Sequence, residues 1–342
     1  MMVEIVRHVA ETEWRRFLDG CSDAALYHTP EWKTFLERTF GYLPHYLFAT
    51  DDRGELIGLL PLFAVKSRLT GDRLCSVPFS HESGCLGEPI VCRTLLGEAI
   101  ELSKRLRIGR IEIRNSVGHE DFHGVSDYST YILDLAADPE ETWARVHKGA
   151  RRVIRKSERC GVTVTTSTDI EDLKAFYEMN RTNKQNLGVP CHPWIFFENL
   201  FSHAGDYVRL YLSHHEGRIV AGGIMECYKD RIVYGYGAAD PGSLHVYPYY
   251  AFLWKSIENG CIQGYRSFDF GRVFNTDAGL IQFKKRWGTR TKQLYSSYFP
   301  VSAGPSMPDR GSSHFRLAKT VIQRMPTPVY SKFSDAVFRH LG

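Results

Sequence analysis

The order of predicted elements is the feature that most constrains the fold of this chain. Two helices, a meander of short strands, a further helix and more strands are expected between residues 11 and 135, and the same order returns between residues 139 and 299. The two stretches share little sequence, so the repeat is one of topology. The pattern predicts an α/β chain with mixed sheets, built as two successive halves.

A chain of 342 residues is long enough for two domains of ordinary size. We predict a first domain at residues 1–136 and a second at residues 137–299, with the tail 300–342 completing the first. Prolines and glycines at the start of the tail indicate a linker, and two short amphipathic helices are expected after it, His314–Met325 and Tyr330–Leu341. Because their polar sides are basic, contact of the tail with an anionic membrane remains a second interpretation.

Composition narrows the class of protein. The chain is 43% apolar and 24% charged, which is typical of a soluble globular protein, and its formal net charge is only +4. Contact with a nucleic acid would therefore depend on a local patch, and no DNA partner is expected. The N-terminus lacks the apolar core of a signal peptide, no apolar run approaches the roughly 18 residues of a membrane span, and the cysteines form no C-x-x-C pair. We expect a cytoplasmic protein that can also lie at the inner face of the membrane.

The stretch from Tyr265 to Tyr298 contains the first candidate site. A short apolar strand, Ser267–Phe270, is predicted to end at Gly271, and a polar loop then leads to a basic helix, Gly279–Trp287. Charged residues thus converge where a strand stops, which is where open α/β sheets bind ligands, although charges at the ends of surface elements give the same pattern. These residues are Asp269, Arg272, Lys284 and Lys285.

Such charges suit the transfer of an acyl group to an amine. Attack on an ester or thioester places negative charge on the carbonyl oxygen, and a fixed cation or N–H donor stabilises it by on the order of 3 kcal/mol. Lys284 or Lys285 could supply the cation. Asp269, or the leaving group of the substrate, could accept the proton that the amine must lose.

A long predicted helix, Pro139–Arg159, contains the second candidate site. Its basic residues share one face at helical spacing, and apolar residues between Trp143 and Ile154 line another face. The basic stripe suits a polyanion such as a tRNA backbone, a nucleotide diphosphate or a lipid diphosphate, but the solvated face of an amphipathic helix looks the same. The residues expected to hold phosphates are Lys148, Arg151, Arg152 and Arg155.

Several motifs of this chain resemble those of the FemAB-like acyltransferases, a family with two tandem GNAT-type halves. The C-terminal motifs are FDFGR (268–272), GL-x-x-FKKRWG (279–288) and a following Y-x-x-Y. Earlier ones are HTPEW, LPLF, VPFS, KGARRVIRKSERCGV, LGVPCHPWIFF and YGYGAAD. The resemblance extends from residue 28 to residue 299.

The resemblance implies two GNAT-like domains and amide formation on a cell-envelope precursor, either a peptidoglycan peptide or an exopolysaccharide intermediate. The family's Phe-Lys pair matches Phe283 and Lys284, which assigns the cation at the developing oxyanion to Lys284 and places Phe283 beside it. No metal or separate cofactor is implied, since the donor would be aminoacyl-tRNA or acyl-CoA. We further expect Asp269 and Arg272 to organise the strand end, and Tyr236 and Asn275 to line the cleft.

The donor is the least determined part of this reading. GNAT enzymes that use acyl-CoA carry a Q/R-x-x-G-x-G/A turn whose N–H groups bind the pyrophosphate. At the corresponding place, Ala238–Pro248, only Gly242 remains, which favours aminoacyl-tRNA over acyl-CoA. A different class of function stays open, namely a non-catalytic GNAT-fold module that binds a nucleotide- or lipid-linked glycan.

Three short motifs are not taken as sites. His119–His123 fits H-E-x-x-H, but a zinc site of that type requires a helix, and Gly118 and Gly124 bracket the segment. Asp269-Phe270-Gly271 spells a kinase motif without the other kinase motifs. Cys191 and His192 are adjacent on a Pro-flanked loop, where a structural or substrate-lining role is favoured over a thiol nucleophile.

Overall fold

The computed structural model of the chain describes residues 3–114, 119–302 and 313–342. Gly118 and most of the predicted linker after Pro300 lie outside these residues. Within them the chain forms two compact units. Unit 1 is drawn from Met1–Asp127, Leu294–Pro308 and Ala336–Gly342, and unit 2 from Tyr128–Gln293 and Asp309–Asp335.

Helices and strands alternate in the expected order. The helices of the described residues are α1 (Glu11–Gly20), α2 (Pro30–Phe40), α3 (Pro89–Leu106), α4 (Pro139–Arg145), α5 (Lys148–Arg159), α6 (Ile170–Leu187), α7 (Trp194–Ala204), α8 (Pro248–Ile262), α9 (Ala278–Lys285), α10 (Ser313–Arg324) and α11 (Thr327–Phe338). The strands are β1 (Glu4–Val6), β2 (Leu43–Pro44), β3 (Leu47–Thr50), β4 (Leu56–Leu60), β5 (Phe63–Val65), β6 (Arg73–Cys75), β7 (Leu86–Gly87), β8 (Ile111–Arg114), β9 (His123–Asp134), β10 (Thr163–Ser167), β11 (Val208–His215), β12 (Arg218–Tyr228), β13 (Arg231–Ala239), β14 (Ser267–Phe274) and β15 (Arg290–Phe299).

Unit 1 contains two groups of paired strands. One runs in the order β1-β3-β4-β7, and the other includes β15-β8-β6-β5-β2, where β6 and β8 are parallel. Helix α3 buries Val91 and Leu95 in a core that also contains Leu47 and Ala49 of β3. Gly58 of β4 makes this approach feasible, because an added Cβ would lie 2.4 Å from Val91 Cγ1.

Unit 2 is a sheet with helices on both faces, in the strand order β10-β11-β12-β13-β14-β9. Its neighbouring strands are antiparallel except for β13 and β14, which are parallel. Helices α6 and α8 pack closely on opposite faces of this sheet at two adjacent glycines of β12. A Cβ on Gly222 would touch Phe176 of α6, and a Cβ on Gly223, which would point to the other face, would touch Phe252 of α8. Strand β9 belongs to unit 2 from Tyr128 onward, where it pairs with β14, so the division falls before residue 136.

The predicted helix Pro139–Arg159 is in fact two helices, so this prediction was wrong. Helix α4 ends at Arg145, Val146 and His147 are extended, and α5 begins at Lys148. His147 caps α5, as its Nδ1 accepts a hydrogen bond from Gly149 N at 3.0 Å. The break was hidden because Val146 is itself buried, so the apolar spacing continues through it.

A smaller difference concerns the end of a strand. Strand β14 does not stop at Phe270 but continues through Gly271 to Phe274 and pairs again with β9 from Arg272 onward. Local periodicity does not encode such a bulge, because it depends on the pairing with a distant strand.

The tail divides between the two units. Helix α10 and the start of α11 belong to unit 2, where Ile322 and Tyr330 are buried with Cys191 and Tyr330 Oη donates to Val189 O at 2.8 Å. The start of the tail and its last residues lie in unit 1, where the Phe338 ring stacks on Phe79 with centroids 5.0 Å apart. None of the described helices is both long enough and apolar enough to cross a membrane.

Candidate active site

The parallel strands of unit 2 separate part-way along their length. Among the described residues, β13 and β14 pair only from Arg231 and Ser267 to Val233 and Asp269, although both strands continue. Each strand has a bulge directly after this point, as shown by register shifts against its other neighbour. Bulges bend a strand and end pairing locally. We call the resulting gap between residues 234–239 and 270–274 the strand opening.

Gly271 forms the bulge on the β14 side. Its φ of +74° is in the left-handed region, which favours glycine, and an added Cβ would lie 3.2 Å from Tyr234 O. The fully buried Asp269 accepts hydrogen bonds at Oδ1 from Gly271 N, at 2.8 Å, and from Thr130 Oγ1. The sequence had suggested that Asp269 lies at the end of a strand. In the structure it lies within β14 and fixes the shape of the bulge.

Lys284 lies under this bulge. It is on α9, it is only 4% exposed, and its Nζ donates to Gly271 O at 2.5 Å and to Arg272 O at 3.4 Å. An ammonium group has three donors, so the contacts described here occupy two of them. Burial lowers the pKa of Lys284 to about 8, against the opposing charges of Asp269 and Asp277, and the side chain is a cation at neutral pH.

The neighbours of Lys284 on α9 differ from it. Lys285 is exposed, so only one of the two candidate lysines reaches the strand opening. Phe283 is half-buried and lies edge-on to Tyr250, with centroids 5.5 Å apart, and it also contacts Trp287. The structure thus separates the three residues of the Phe-Lys-Lys run into a packing side chain, a buried cation and a surface cation.

The other predicted site residues lie along the strand opening or close to it. Tyr236 of β13 packs edge-on against His192 at 5.1 Å and Phe197 at 5.4 Å. Burial raises the pKa of Tyr236, Glu226 raises it further and Arg272 lowers it, so the charges of β12 and β14 both reach this hydroxyl.

The last two predicted residues are exposed and held by neighbouring strands. The Arg272 guanidinium lies 4.9 Å from the centre of the Tyr128 ring. Asn275 follows β14, and its Oδ1 accepts from Ser129 Oγ at 2.7 Å. Both contacts are to β9, which is the neighbour of β14 on the side away from β13.

Two residues at the strand opening were missed by the sequence analysis. Glu226 of β12 is 4% exposed. Its carboxylate lies against the bulge of β13, as shown by the 2.7 Å that would separate its Oε1 from an added Cβ on Gly235. A single acid within an apolar strand was the available signal. Asn183 of α6 binds the backbone of Ala239 in both directions, with Nδ2 to O at 2.7 Å and Ala239 N to Oδ1 at 3.1 Å.

The basic stripe is an exposed face of α5. Lys148, Arg152 and Arg155 are exposed and Arg151 is half-buried, whereas Ala150, Ile154 and Ser157 are buried on the opposite side. Two cation–aromatic contacts lie along it: the Arg155 guanidinium is 5.5 Å from the Trp143 ring, and Lys156 Nζ is 4.8 Å from the Tyr247 ring. Lys156, absent from the predicted set, extends the stripe to the start of α8.

Two of the motifs that were not taken as sites, His119–His123 and Cys191-His192, lack the geometry or the ionisation that a catalytic site of their type requires. Residues 119–122 form a turn before β9 rather than a helix, and His119 Nδ1 accepts from Asp121 N at 3.2 Å. Burial raises the pKa of Cys191 to about 12, so this side chain is a neutral thiol at physiological pH.

The sequence of unit 2 matches a known domain. Residues 144–285 fit the family model described as an acetyltransferase (GNAT) domain. This segment therefore has a GNAT-like fold. The strand opening and Lys284 lie within its limits, and so does the whole of α5. No curated protein matches the sequence.

Solved structures extend the likeness to nearly the whole chain. FemX is 18% identical with a TM-score of 0.69, covering 86% of this chain and 96% of its own. A tandem GNAT protein from the clavulanic acid biosynthesis pathway is 12% identical with a TM-score of 0.54, covering 90% and 100%. The C-terminal domain described as that of a lysylphosphatidylglycerol synthetase from Agrobacterium fabrum is 11% identical with a TM-score of 0.58, covering 91% and 96%. The predicted fold of two tandem GNAT-like halves is confirmed.

Proposed function

We propose that the protein is an acyltransferase that forms an amide on a cell-envelope precursor, with the strand opening of unit 2 as its reaction site. One observation carries the proposal: a buried lysine cation lies where two parallel strands separate. Lys284 is held there by Gly271 O at 2.5 Å and Arg272 O at 3.4 Å, and an ammonium group has a third N–H donor that we assign to the substrate oxygen.

The reaction follows from this placement. The nitrogen of the acceptor amine attacks the carbonyl carbon of the donor ester or thioester, a C–N bond forms, and the carbonyl electron pair moves to oxygen. Lys284 stabilises that negative oxygen in a site with little water, where a fixed donor is most effective. The oxygen then re-forms the carbonyl, the C–O or C–S bond to the donor breaks, and the leaving group takes the proton that the amine loses.

Asp269 acts in this proposal as a positioning residue. Its carboxylate fixes Gly271 through the 2.8 Å bond to the amide, and Gly271 in turn holds Lys284 through its carbonyl. Phe283 packs beside the cation. Tyr236, Arg272 and Asn275 would contact the substrate along the walls of the strand opening.

We infer that the donor is aminoacyl-tRNA rather than acyl-CoA. Helix α8 begins with Pro248, which has no N–H, and a short 3₁₀ helix, Pro241–Val246, stands in place of a Gly-rich turn. Asn183 already binds the β13 edge at Ala239. The basic face of α5 meets the start of α8 at Tyr247, where Lys156 Nζ donates to Tyr247 Oη at 3.2 Å, so a phosphate backbone on α5 would be led to that end of unit 2.

The acceptor is proposed from the family resemblance and from the names of similar structures. FemX carries the name of the family that the sequence resembles. The Agrobacterium structure is described as part of a synthetase of lysylphosphatidylglycerol, an aminoacylated lipid. Both names favour a partner from the cell envelope. The family resemblance of the sequence narrows the proposal to a peptidoglycan peptide or an exopolysaccharide intermediate, and we propose that it is presented at the inner face of the membrane.

Mass spectrometry of an incubated precursor tests the function. A peptidoglycan precursor with a free side-chain amine is mixed with the protein and with aminoacyl-tRNA, with deacylated tRNA as the control, or with acetyl-CoA. We expect a mass increase of one aminoacyl residue with charged tRNA alone. A mass increase with acetyl-CoA would show that the donor is acyl-CoA instead of aminoacyl-tRNA. Binding of the precursor without a mass change under any donor would show that the protein is a glycan-binding module and not an enzyme.

A further inference from the structure

Unit 1 contains a cavity that plays no part in the proposed reaction. Its volume is about 580 Å³, and it lies beside the C-terminal half of α3, between the chain that follows β1 and the chain that joins β2 to β3. Its main side chains are Arg7, His8, His45, Glu98, Leu102 and Arg105. All of them belong to unit 1.

The charges of this cavity are unbalanced. Glu98 is the one carboxylate among the lining residues, and it accepts from two arginines, Arg7 Nη2 at 2.7 Å and Arg105 Nη2 at 2.5 Å. Two guanidinium groups against one carboxylate leave a net positive charge. A guanidinium remains charged at any physiological pH, so this excess does not depend on conditions.

Arg7 has a donor that its surroundings leave unused. Nη1 of Arg7 is buried, and within the described part of the chain no hydrogen-bond acceptor reaches it. A buried donor of a charged group without an acceptor is costly, by about 1–3 kcal/mol or more, and proteins usually avoid it. The imbalance in charge and the unused donor both indicate a site shaped for a negatively charged ligand.

His45 adds a neutral polar group to the same wall. It is half-buried, and burial together with the nearby Arg7 lowers its pKa, so the imidazole is uncharged at neutral pH. A neutral imidazole offers one donor and one acceptor. Leu102 and Pro44 supply apolar surface beside it. A ligand can therefore carry both an anionic group and an organic body.

We infer that this cavity binds a small organic molecule through an oxyanion, a phosphate or a carboxylate, held by Arg7 and Arg105. Guanidinium groups bind both oxyanions by paired hydrogen bonds, and a cavity of about 580 Å³ falls in the usual range for small-molecule sites. An inorganic ion would fill only a small part of it. The site is an addition to the proposed acyl transfer and does not depend on it.

Calorimetric titration of the full-length protein tests the inference. The probes are glucose 6-phosphate for a phosphate ligand and citrate for a carboxylate ligand. We expect saturable binding of at least one probe, and the one that binds names the anion. Arg7→Gln should weaken the binding at least about tenfold, because a charge-assisted pair is lost. Arg93→Gln, on the exposed side of the same helix α3, is the matched control and should leave binding unchanged.

Glu98→Gln separates a binding role from a structural one. Removing the carboxylate that competes for both arginines should strengthen anion binding several-fold, whereas a purely structural ion pair would only lose stability. If Arg7→Gln does not fold, the exposed Arg105→Gln reports on the same contact. The inference is overturned if neither probe binds, or if binding is the same in wild type, Arg7→Gln and Glu98→Gln.

Discussion

The two units contain the same structural feature and use it differently. Each has one parallel strand pair of two or three residue pairs: Leu74 and Cys75 of β6 with Ile111 and Glu112 of β8 in unit 1, and β13 with β14 in unit 2. In unit 1 the space beyond the paired residues is occupied by polar side chains that bind one another. In unit 2 the corresponding place is the strand opening with Lys284 beneath it.

The network in unit 1 centres on Arg114, which is 8% exposed. Its Nε donates to Glu112 at 3.0 Å, and its Nη1 donates to Ser80 O at 3.0 Å and Val77 O at 3.3 Å. Its backbone amide donates to Ser76 Oγ at 2.8 Å. The polar groups beyond this strand pair are thus hydrogen-bonded to one another.

The difference teaches where chemistry can reside in a repeated fold. A fold does not determine function, and the same kind of strand pair is followed by a hydrogen-bonded polar network in one unit and by a strand opening with a buried lysine in the other. If this is correct, substitutions in the two places should change different properties of the protein. The unit 1 network should affect stability, and the unit 2 cation should affect turnover.

The largest expected effect is on the unit 1 side of this comparison. Arg114→Met leaves the buried Glu112 carboxylate without the arginine that, despite burial, keeps its pKa low. Breaking a buried ion pair by removing one partner costs about 3–5 kcal/mol. Urea unfolding measures it, with the exposed Arg93→Met as control. A loss of stability no larger than that of the control would mean that unit 1 is not held by this network.

A pH profile sharpens the unit 2 side. The Lys284 pKa of about 8 means that the catalytic cation is lost as pH rises through 8, so the transfer rate should fall about tenfold per pH unit above it. Stability should change in the other direction. Burial disfavours the charged form, so the free energy of unfolding should rise between about pH 8 and the unfolded lysine value near 10.4. A rate that still increases at pH 9.5 would contradict the role of the ammonium.

The smallest expected effect concerns the basic face of α5. The double variant Lys148→Gln, Arg152→Gln should reduce the salt dependence of tRNA binding by a slope of about 2, since each removed phosphate contact lowers it by about 1. Filter binding between low and moderate salt measures the slope. Lys174→Gln on α6 removes an exposed charge elsewhere in unit 2 and should leave the slope unchanged. Equal slopes in all three proteins would make α5 a solvated surface.

Much of the fold could be read from the sequence because its signals are local. Thr29 caps α2, Pro30 is its first residue, and Gly41 with φ of +67° follows its end, so both boundaries carry the residue types that favour them. Local signals were sufficient for these helix ends. Lys284 was assigned from its match to the family's Phe-Lys pair; its ammonium group lies beside Gly271 O, and its role in the reaction stays a prediction.

The remaining features depend on contacts between distant residues. The bulges at Gly235 and Gly271 arise from pairing with β12 and β9, which local periodicity does not encode. For the same reason Asp269 was expected at a strand end instead of within a bulge. Glu226 was missed because its approach to the strand opening depends on the space that Gly235 leaves across the sheet.

The account rests on Lys284, and its neighbour provides the control. Single-turnover transfer is measured for Lys284→Met and Lys285→Met, which remove the same charge at a buried position and at an exposed one. We expect Lys284→Met to lose at least about a hundredfold in rate with a melting temperature close to wild type, and Lys285→Met to keep its rate. Equal rates in the two variants would show that no developing negative charge is stabilised at the strand opening by this lysine.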